Sequence, residues 1–225
     1  QGLIKKRFIT LSELAPALRK QICYRVSGSE NADDIAEGRE QALAIVKGKS
    51  VEELKQACRE IVDNRMLQKS YADTIELASM HLAAGQQVWL VSATPVQIGQ
   101  ALAETLGFTG ALGTVAEEED GKFTGRLVGD ILHGPGKKHA VAALAALQQL
   151  DLSKCTAYSD SVNDLPMLNM VGSPVAVNPD RALRKHAKAQ GWAVRDYRSV
   201  RRVMRAGVVP AVLAAAGLWW WRRRR

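Results

Sequence analysis

The stretch Tyr158-Ser-Asp-Ser-Val-Asn-Asp-Leu-Pro-Met-Leu168 places two aspartates four residues apart, where a strand gives way to a helix. The short run Thr156-Ala-Tyr158 predicts the strand, and a helix is predicted to begin near Asn163. Carboxylates at such a junction are hard oxygen ligands, which Mg²⁺ prefers in the company of phosphate. One aspartate alone would be interpreted as a helix cap. The pair Asp160 and Asp164, with serines beside it, instead predicts a magnesium site.

Strand and helix patterns alternate on both sides of this stretch. Short apolar runs with β-branched residues indicate buried parallel strands, and the longer segments between them have helical spacing. This alternation predicts an α/β fold with a Rossmann-like parallel sheet. Strands are predicted at 88–91, 156–158, 174–177 and 192–194, a hairpin at 113–128, and helices to about 106, over about 137–150, from about 163 and over about 180–190.

Residues 1–86 have helical rather than strand patterns, and about four helices are predicted there. Thr10-Leu-Ser-Glu13 and Ser50-Val-Glu-Glu53 each fit a capping box, in which a hydroxyl and a glutamate satisfy the first amides of a helix. A further helix is predicted over about 71–84, ending at Gly85. The sequence therefore predicts a helical domain at 1–86, an α/β core domain at 87–197 and a tail at 198–225.

Ser92 follows the predicted strand Val88-Trp-Leu-Val91. In open α/β sheets, ligands bind beyond the carboxyl ends of the strands. The Ser92 hydroxyl and the N–H groups of Ala93 and Thr94 are therefore candidates for holding a phosphate oxygen at a helix N-terminus. A Ser-x-Thr considered by itself more often caps a helix, and that alternative stays open.

Lys137 lies in Gly134-Pro-Gly-Lys-Lys-His-Ala-Val141, where a glycine-rich turn leads into a helix. A cation in the first turn opposes the helix dipole, so helix stability does not explain a lysine at this position. An anion held nearby would explain it. The alternative is a solvent-exposed lysine, which is the interpretation we give to Lys138.

Taken together, Ser92, Lys137 and the Asp160–Asp164 stretch resemble the motifs of the haloacid dehalogenase superfamily, in its phosphoserine-phosphatase-like branch. The second motif of that family is a strand ending in serine or threonine, the third is a lysine opening a helix, and the fourth is an aspartate pair after a strand. Ala176-Val-Asn-Pro-Asp180 also fits the pattern, although Ser159-Asp160-Ser161 replaces the usual Gly-Asp-Gly. The resemblance covers about residues 1–197, and implies that 1–86 form a helical cap.

The resemblance implies a Mg²⁺-dependent phosphatase that works through an aspartyl-phosphate and acts on a small phosphorylated metabolite. Ser92 and the Ala93 amide would then bind the phosphoryl group, and Lys137 would neutralise it. Asp160 would ligate Mg²⁺, and Asp164 would orient Lys137 and the waters of the metal. Asn163 would contact the phosphate. Phosphoserine is the substrate that the resemblance suggests first.

The first motif of the family, Asp-x-Asp-x-Thr/Val, occurs nowhere in the 225 residues, and its first aspartate is the nucleophile. Asp33-Asp34, between predicted helices, is a poor substitute. We therefore expect this chain to be an inactive, truncated form of a longer enzyme that lacks the first, central strand of the sheet. The alternative is a non-catalytic pseudo-phosphatase or binding module, but the retained Ser92, Lys137 and Asp160 favour truncation.

Composition excludes a disordered or disulfide-rich protein, since 47% of the residues are hydrophobic and there are three cysteines. Cys23, Cys58 and Cys155 are far apart and predict reduced thiols in a cytoplasmic protein. The formal net charge of +8 comes entirely from residues 195–225, which hold nine arginines and one acid, Asp196. The basic balance therefore describes a tail and predicts no nucleic-acid partner.

The tail contains an uncharged stretch at 206–221 that ends in Trp219-Trp-Trp221 and is followed by four arginines. Tryptophan and arginine suit a membrane interface, but the length is marginal for a spanning helix. We expect membrane association of this tail, either spanning or lying in the interface. The alternatives are a helix packed on the core or a floppy tail. A lipid-related phosphate is therefore a second candidate substrate, and a membrane-tethered binding module is the alternative function.

Overall fold

The structure, a computed structural model, describes residues 32–66 and 72–197 of the chain. The chain divides into two compact units, Gln1–Ala140 and Val141–Arg225. The predicted division into a cap at 1–86, a core at 87–197 and a tail at 198–225 remains a prediction.

Within the first unit, residues 32–66 and 72–83 are mainly helical, in agreement with the patterns of the sequence. Ser50 begins one of them, because its side-chain Oγ accepts the Glu53 N–H at 3.3 Å. The hydroxyl half of the predicted capping box is confirmed there, whereas Thr10-Leu-Ser-Glu13 lies outside the described residues. The helices are α1 Ala32–Val46, α2 Val51–Ile61 and α3 Ala72–Ala83, and a π-helical turn, Val62–Met66, follows α2.

Two parallel strands, a helix and an antiparallel hairpin follow these helices in the first unit. The predicted strand at 88–91 is longer than expected, since it continues through Ser92 to Pro95. The predicted hairpin begins later than expected, at Ala116, because Gly110–Thr114 pairs in parallel with the preceding strand. The sequence prediction missed that strand, which has little β-branched character. The elements are β1 Trp89–Pro95, α4 Val96–Leu106, β2 Gly110–Thr114, β3 Ala116–Glu119 and β4 Lys122–Leu127.

The apolar face of α2 packs against α4 and the hairpin. Its buried positions recur at helical spacing, as the sequence predicted. Phe123 of β4 is only 2% exposed and joins this cluster, while its backbone bonds to Gly48 and Lys49 tie the hairpin to the start of α2. The cluster consists of Val51, Leu54, Cys58, Val62, Ala101 and Phe123.

The second unit is a three-stranded parallel sheet in the order β5-β6-β7. Leu168, Ala176, Leu183 and Ala187 are fully buried and form its core. Helix α5, which contains Lys137, begins in the first unit and ends in the second. The elements are α5 Pro135–Leu147, a 3₁₀ turn Leu152–Lys154, β5 Thr156–Ser159, a 3₁₀ turn Val162–Asp164, α6 Leu165–Leu168, β6 Ser173–Val177, α7 Arg181–Ala189 and β7 Ala193–Arg195.

Across residues 32–66 and 72–197, the helices are too short or too polar to cross a membrane. The predicted membrane segment, 206–221, lies outside the described residues, as does the rest of the tail from 198 onward.

Candidate active site

Residues 159–164, called the acidic loop here, connect β5 to α6. Asp160 directly follows the strand and is exposed, whereas Asp164 is only 7% exposed. Between them, the Ser161 Oγ accepts the Asn163 N–H at 3.3 Å and begins the 3₁₀ turn. The structure therefore places Asp160, Asn163 and Asp164 on one loop at the carboxyl end of a parallel strand, where ligands of open α/β sheets bind.

A buried serine holds the second carboxylate of this loop. The Ser159 Oγ donates to Asp164 Oδ2 at 2.7 Å and accepts the Ser161 N–H at 3.1 Å. A hydroxyl thus connects the loop backbone to the carboxylate. Ser161 has a φ of −117°, an extended conformation open to any residue, so a serine is accommodated where the family usually has glycine.

Asp180 holds the acidic loop from the side of β6. Its Oδ2 accepts the Val162 N–H at 2.8 Å, and its own N–H donates to the Asp160 carbonyl at 2.8 Å. The sequence prediction assigned Asp180 no role, although an aspartate directly before a helix signals an N-cap. The Asp180 Oδ1 does accept the Leu183 N–H, at 2.7 Å.

Residues 92–94, called the serine turn here, lie inside β1 and not at a helix N-terminus. The pairing register of β1 with β2 shifts between Val91 and Pro95, which places the turn in an irregular part of the ladder. The Ser92 Oγ accepts the Thr94 N–H at 3.2 Å and the Thr94 hydroxyl at 3.0 Å. The alternative that Ser92 caps a helix is therefore excluded, since Pro95 is the residue directly before α4.

Thr114, at the end of β2, joins the serine turn to the segment that leads to Lys137. Its Oγ1 donates to the Ala93 carbonyl at 2.9 Å and accepts the Leu132 N–H at 3.2 Å. The sequence prediction placed Thr114 in the hairpin and missed this role, because only the parallel pairing of β2 with β1 brings it to Ala93. The available sequence signal for a strand ending at Thr114 was its position directly after the uncharged residues 110–113.

Lys137 lies in the first turn of α5, as predicted, and its backbone N–H donates to the Gly134 carbonyl at 3.2 Å. Gly136, directly before Lys137, is explained by the lack of space for a side chain. A Cβ on Gly136 would lie 2.4 Å from the Ile131 carbonyl oxygen, so a side chain there would displace the turn. The side chain of Lys137 is half-buried.

The donors of the acidic loop fit Mg²⁺ better than a metal that needs a complete protein cage. The described residues contain no group of three or more His, Cys, Asp or Glu side chains that could hold a metal ion. Mg²⁺ keeps several waters and is usually bound by one or two carboxylates together with the phosphate of the substrate. The exposed carboxylate of Asp160, with the phosphate of a substrate and water, would meet that need, and the buried Asp164 lies on the same loop.

The family model of the haloacid dehalogenase-like hydrolases matches residues 3–169, and the chain therefore belongs to that family. Phosphoserine phosphatase SerB1 of Mycobacterium tuberculosis (strain ATCC 25618 / H37Rv) is 50% identical over 218 residues, 96% of this chain and 71% of that protein.

Two crystal structures show how far the fold is shared. A protein with unknown function from Bordetella pertussis Tohama I is similar with a TM-score of 0.74 and 29% identity, covering 87% of this chain and 88% of that one. A probable phosphoserine phosphatase from Vibrio cholerae is similar with a TM-score of 0.56 and 19% identity, covering 82% and 53%, which bears on the fold alone. The predicted family and the α/β fold class are confirmed.

Proposed function

We propose that this chain carries the phosphate-binding and metal-binding residues of a Mg²⁺-dependent phosphomonoesterase that works through an aspartyl-phosphate. The observation that carries the proposal is the acidic loop, in which Asp160 is exposed at a strand end and Asp164 is buried on a serine hydroxyl. Phosphoryl transfer requires mainly positioning and charge stabilisation, which such a loop provides. The proposal assigns the serine turn, Lys137 and the acidic loop to one reaction.

Ser92 is proposed to donate its hydroxyl proton to a phosphoryl oxygen. A hydroxyl has one donor and two acceptor sites, and the two hydrogen bonds from Thr94 use the acceptors. The proton is then the group that remains to bind an anion. The Ala93 N–H is proposed as the second donor, because the neighbouring Thr94 amide is bonded within the turn.

Lys137 is proposed to neutralise the phosphoryl group, since a cation in the first turn of a helix is stabilised when an anion binds beside it. Asp160 is proposed to ligate Mg²⁺, and Asp164 to orient Lys137 and the waters of the metal. Asn163 is proposed to contact the phosphate. When bound, Mg²⁺ supplies positive charge to the phosphoryl oxygens.

The substrate is proposed to be a small phosphorylated metabolite enclosed by a helical cap formed by residues 1–86. Phosphoserine is the first candidate, because it is the substrate in the name of the M. tuberculosis relative. A lipid-related phosphate is the second candidate, and it depends on membrane association of the apolar and arginine-rich tail at 206–225.

The chain of 225 residues contains no Asp-x-Asp and therefore no nucleophile of the family type. Without that carboxylate no phospho-enzyme forms. We expect no Mg²⁺-dependent turnover by this chain alone, and turnover when it is joined to a segment that supplies Asp-x-Asp-x-Thr/Val.

The test measures phosphate release from O-phospho-L-serine and from lysophosphatidic acid, with Mg²⁺ or with EDTA, by the chain alone and by the extended chain. Asp160→Asn in the extended chain serves as the control, and we expect it to lower turnover by at least about 100-fold. Mg²⁺-dependent turnover by the 225-residue chain would contradict the proposal. An extended chain that binds phosphate but releases none would favour the binding module.

A further inference from the structure

We infer that Asp180 is a positioning residue that fixes the acidic loop for metal binding; the inference rests on the proposed function of that loop. Asp180 lies between β6 and α7, outside the four motifs of the family. Its backbone and its side chain both bond to the loop, on the two sides of Ser161. The argument for a role beyond helix capping comes from these two bonds.

Two hydrogen bonds, each 2.8 Å long, join Asp180 to the acidic loop, and together they are called the Asp180 clamp here. The Asp180 N–H donates to the carbonyl of Asp160, and the Asp180 Oδ2 accepts the N–H of Val162. The two bonded groups flank Ser161, so they restrict the backbone on both sides of that residue. The path of the chain out of Asp160 is thereby fixed, which limits where its carboxylate points.

A second feature of the Asp180 clamp is the charge of the acceptor. A carboxylate that accepts backbone amides forms hydrogen bonds roughly twice as strong as those between neutral groups. Asp180 uses Oδ2 for Val162 and Oδ1 for Leu183, the third residue of α7. One side chain therefore joins the acidic loop to the start of a helix whose Leu183 is fully buried.

A third feature is the rigid support of Asp180. Asn178, two residues earlier, is 5% exposed and has a φ of +47°, in the left-handed region that asparagine tolerates. Its N–H donates to the Arg195 carbonyl at 2.7 Å, and its Oδ1 accepts the Tyr197 N–H at 2.8 Å. Pro179 then fixes φ between Asn178 and Asp180.

Residues that support metal ligands commonly change metal affinity by 10- to 100-fold when they are replaced. We therefore expect the loss of the Val162 bond to weaken Mg²⁺ binding without unfolding the second unit. Asp180→Ser separates the two roles of the side chain. A serine hydroxyl still caps α7 by accepting the Leu183 N–H, but it is too short to reach Val162 as well.

The experiment compares the full chain with Asp180→Ser, Asp180→Ala and the control Asp151→Ser. Asp151 also caps a short turn, by accepting the Ser153 N–H at 3.0 Å, so Asp151→Ser removes the same charge from a similar cap position away from the acidic loop. NMR records the hydrogen exchange of the Val162 amide and the shifts of the amides of residues 160–164 during a titration with Mg²⁺. Thermal unfolding checks the fold of each variant.

We expect both Asp180 variants to exchange the Val162 amide at least about tenfold faster and to raise the apparent Kd for Mg²⁺ about tenfold, with no change in Asp151→Ser. A folded Asp180→Ser with faster exchange and wild-type Mg²⁺ affinity would overturn the inference and leave the proposed function intact. Wild-type Val162 exchange in Asp180→Ser would also overturn it. If the amide shifts of residues 160–164 in the wild-type chain did not change with Mg²⁺, the proposed metal site itself would be rejected.

Discussion

The serine turn and the acidic loop are held in place by different chemistry. In the first unit, the Thr114 hydroxyl donates one hydrogen bond to Ala93 and accepts one from Leu132. In the second unit, the Asp180 carboxylate accepts two backbone amides, and its own amide donates a third bond. The serine turn is thus held by neutral groups, and the acidic loop by a charged one.

The two elements also differ in how far their bonds are exposed to solvent. Asp164 is buried on its serine partner, whereas the bonds within the serine turn are exposed to solvent. The carboxylate proposed to orient Lys137 and the waters of the metal must keep its geometry to within a fraction of an ångström, and a buried bond to a charged group serves that role. A hydroxyl that binds a transferring phosphoryl group must exchange solvent for substrate, so exposed, neutral bonds suit it.

The largest expected effect is on the serine turn, from Gly113→Ala. A Cβ at Gly113 would lie 2.5 Å from the Val96 Cα and 2.9 Å from the Thr94 carbonyl oxygen, so backbone must move. We expect the free energy of unfolding to fall by about 3 kcal/mol, measured by urea denaturation. Hydrogen exchange of residues 92–94 should rise more than that of residues 160–164.

Gly99→Ala is the matched control for this substitution, because its Cβ would meet only the Ala111 Cβ, at 3.0 Å. That contact is milder, and alanine is favoured over glycine in the helix by about 1 kcal/mol. If Gly113→Ala and Gly99→Ala had the same free energy of unfolding, the serine turn would accommodate the added Cβ without loss of stability. The comparison of the serine turn with the acidic loop would then be wrong.

A smaller effect distinguishes the two serines directly. Ser159→Ala leaves the buried Asp164 carboxylate without its hydroxyl donor, and we expect a loss of about 1–3 kcal/mol in the free energy of unfolding. Ser92→Ala removes exposed bonds, and we expect a loss within about 0.5 kcal/mol. Chemical denaturation of both variants measures the difference. Equal losses would contradict the view that the buried bond of the acidic loop contributes more to stability than the exposed bonds of the serine turn.

The smallest effect comes from pH and concerns the core of the first unit. Burial raises the pKa of the Cys58 thiol from 9.0 to about 11, with Arg59 opposing the shift. The folded state keeps the proton, so this contribution to stability is complete below pH 9 and is lost as the pH rises toward 11.

At pH 10 we expect the first unit to lose about 1 kcal/mol relative to pH 7 through this thiol. Cys58→Ala lacks the titrating group and isolates its share from that of tyrosines and lysines. Urea denaturation at the two pH values gives the difference. An identical pH dependence in Cys58→Ala and the wild-type chain would show that the thiol makes no contribution.

Most elements of the second unit could be predicted from the sequence, because short apolar runs and caps are local signals. The predicted strand at 174–177 corresponds to Ser173–Val177, and the helix predicted from about 180 begins after Asp180, which caps it. The first unit was harder to predict. β2, with the sequence Gly-Ala-Leu-Gly-Thr, has few strand-forming residues, and its partner, rather than its own composition, makes it a strand.

The sequence by itself determined which residue types are available for chemistry. Ser92, Lys137, Asp160 and Asp164 have the spacing of the family motifs, and the absence of Asp-x-Asp from the 225 residues is equally a property of the sequence. The α/β alternation followed from hydrophobic periodicity, which depends on neighbouring residues only.

The tertiary structure alone decided how those residues are held. Thr114 reaches Ala93 through strand pairing, although 21 positions separate them, and Asp180 reaches Val162 across 18 positions. Local patterns contain no information about such partners, because the bonds exist only after the strands have paired. The acidic loop can be found in the sequence, but the hydrogen bonds that Asp180 makes to it exist only in the folded sheet.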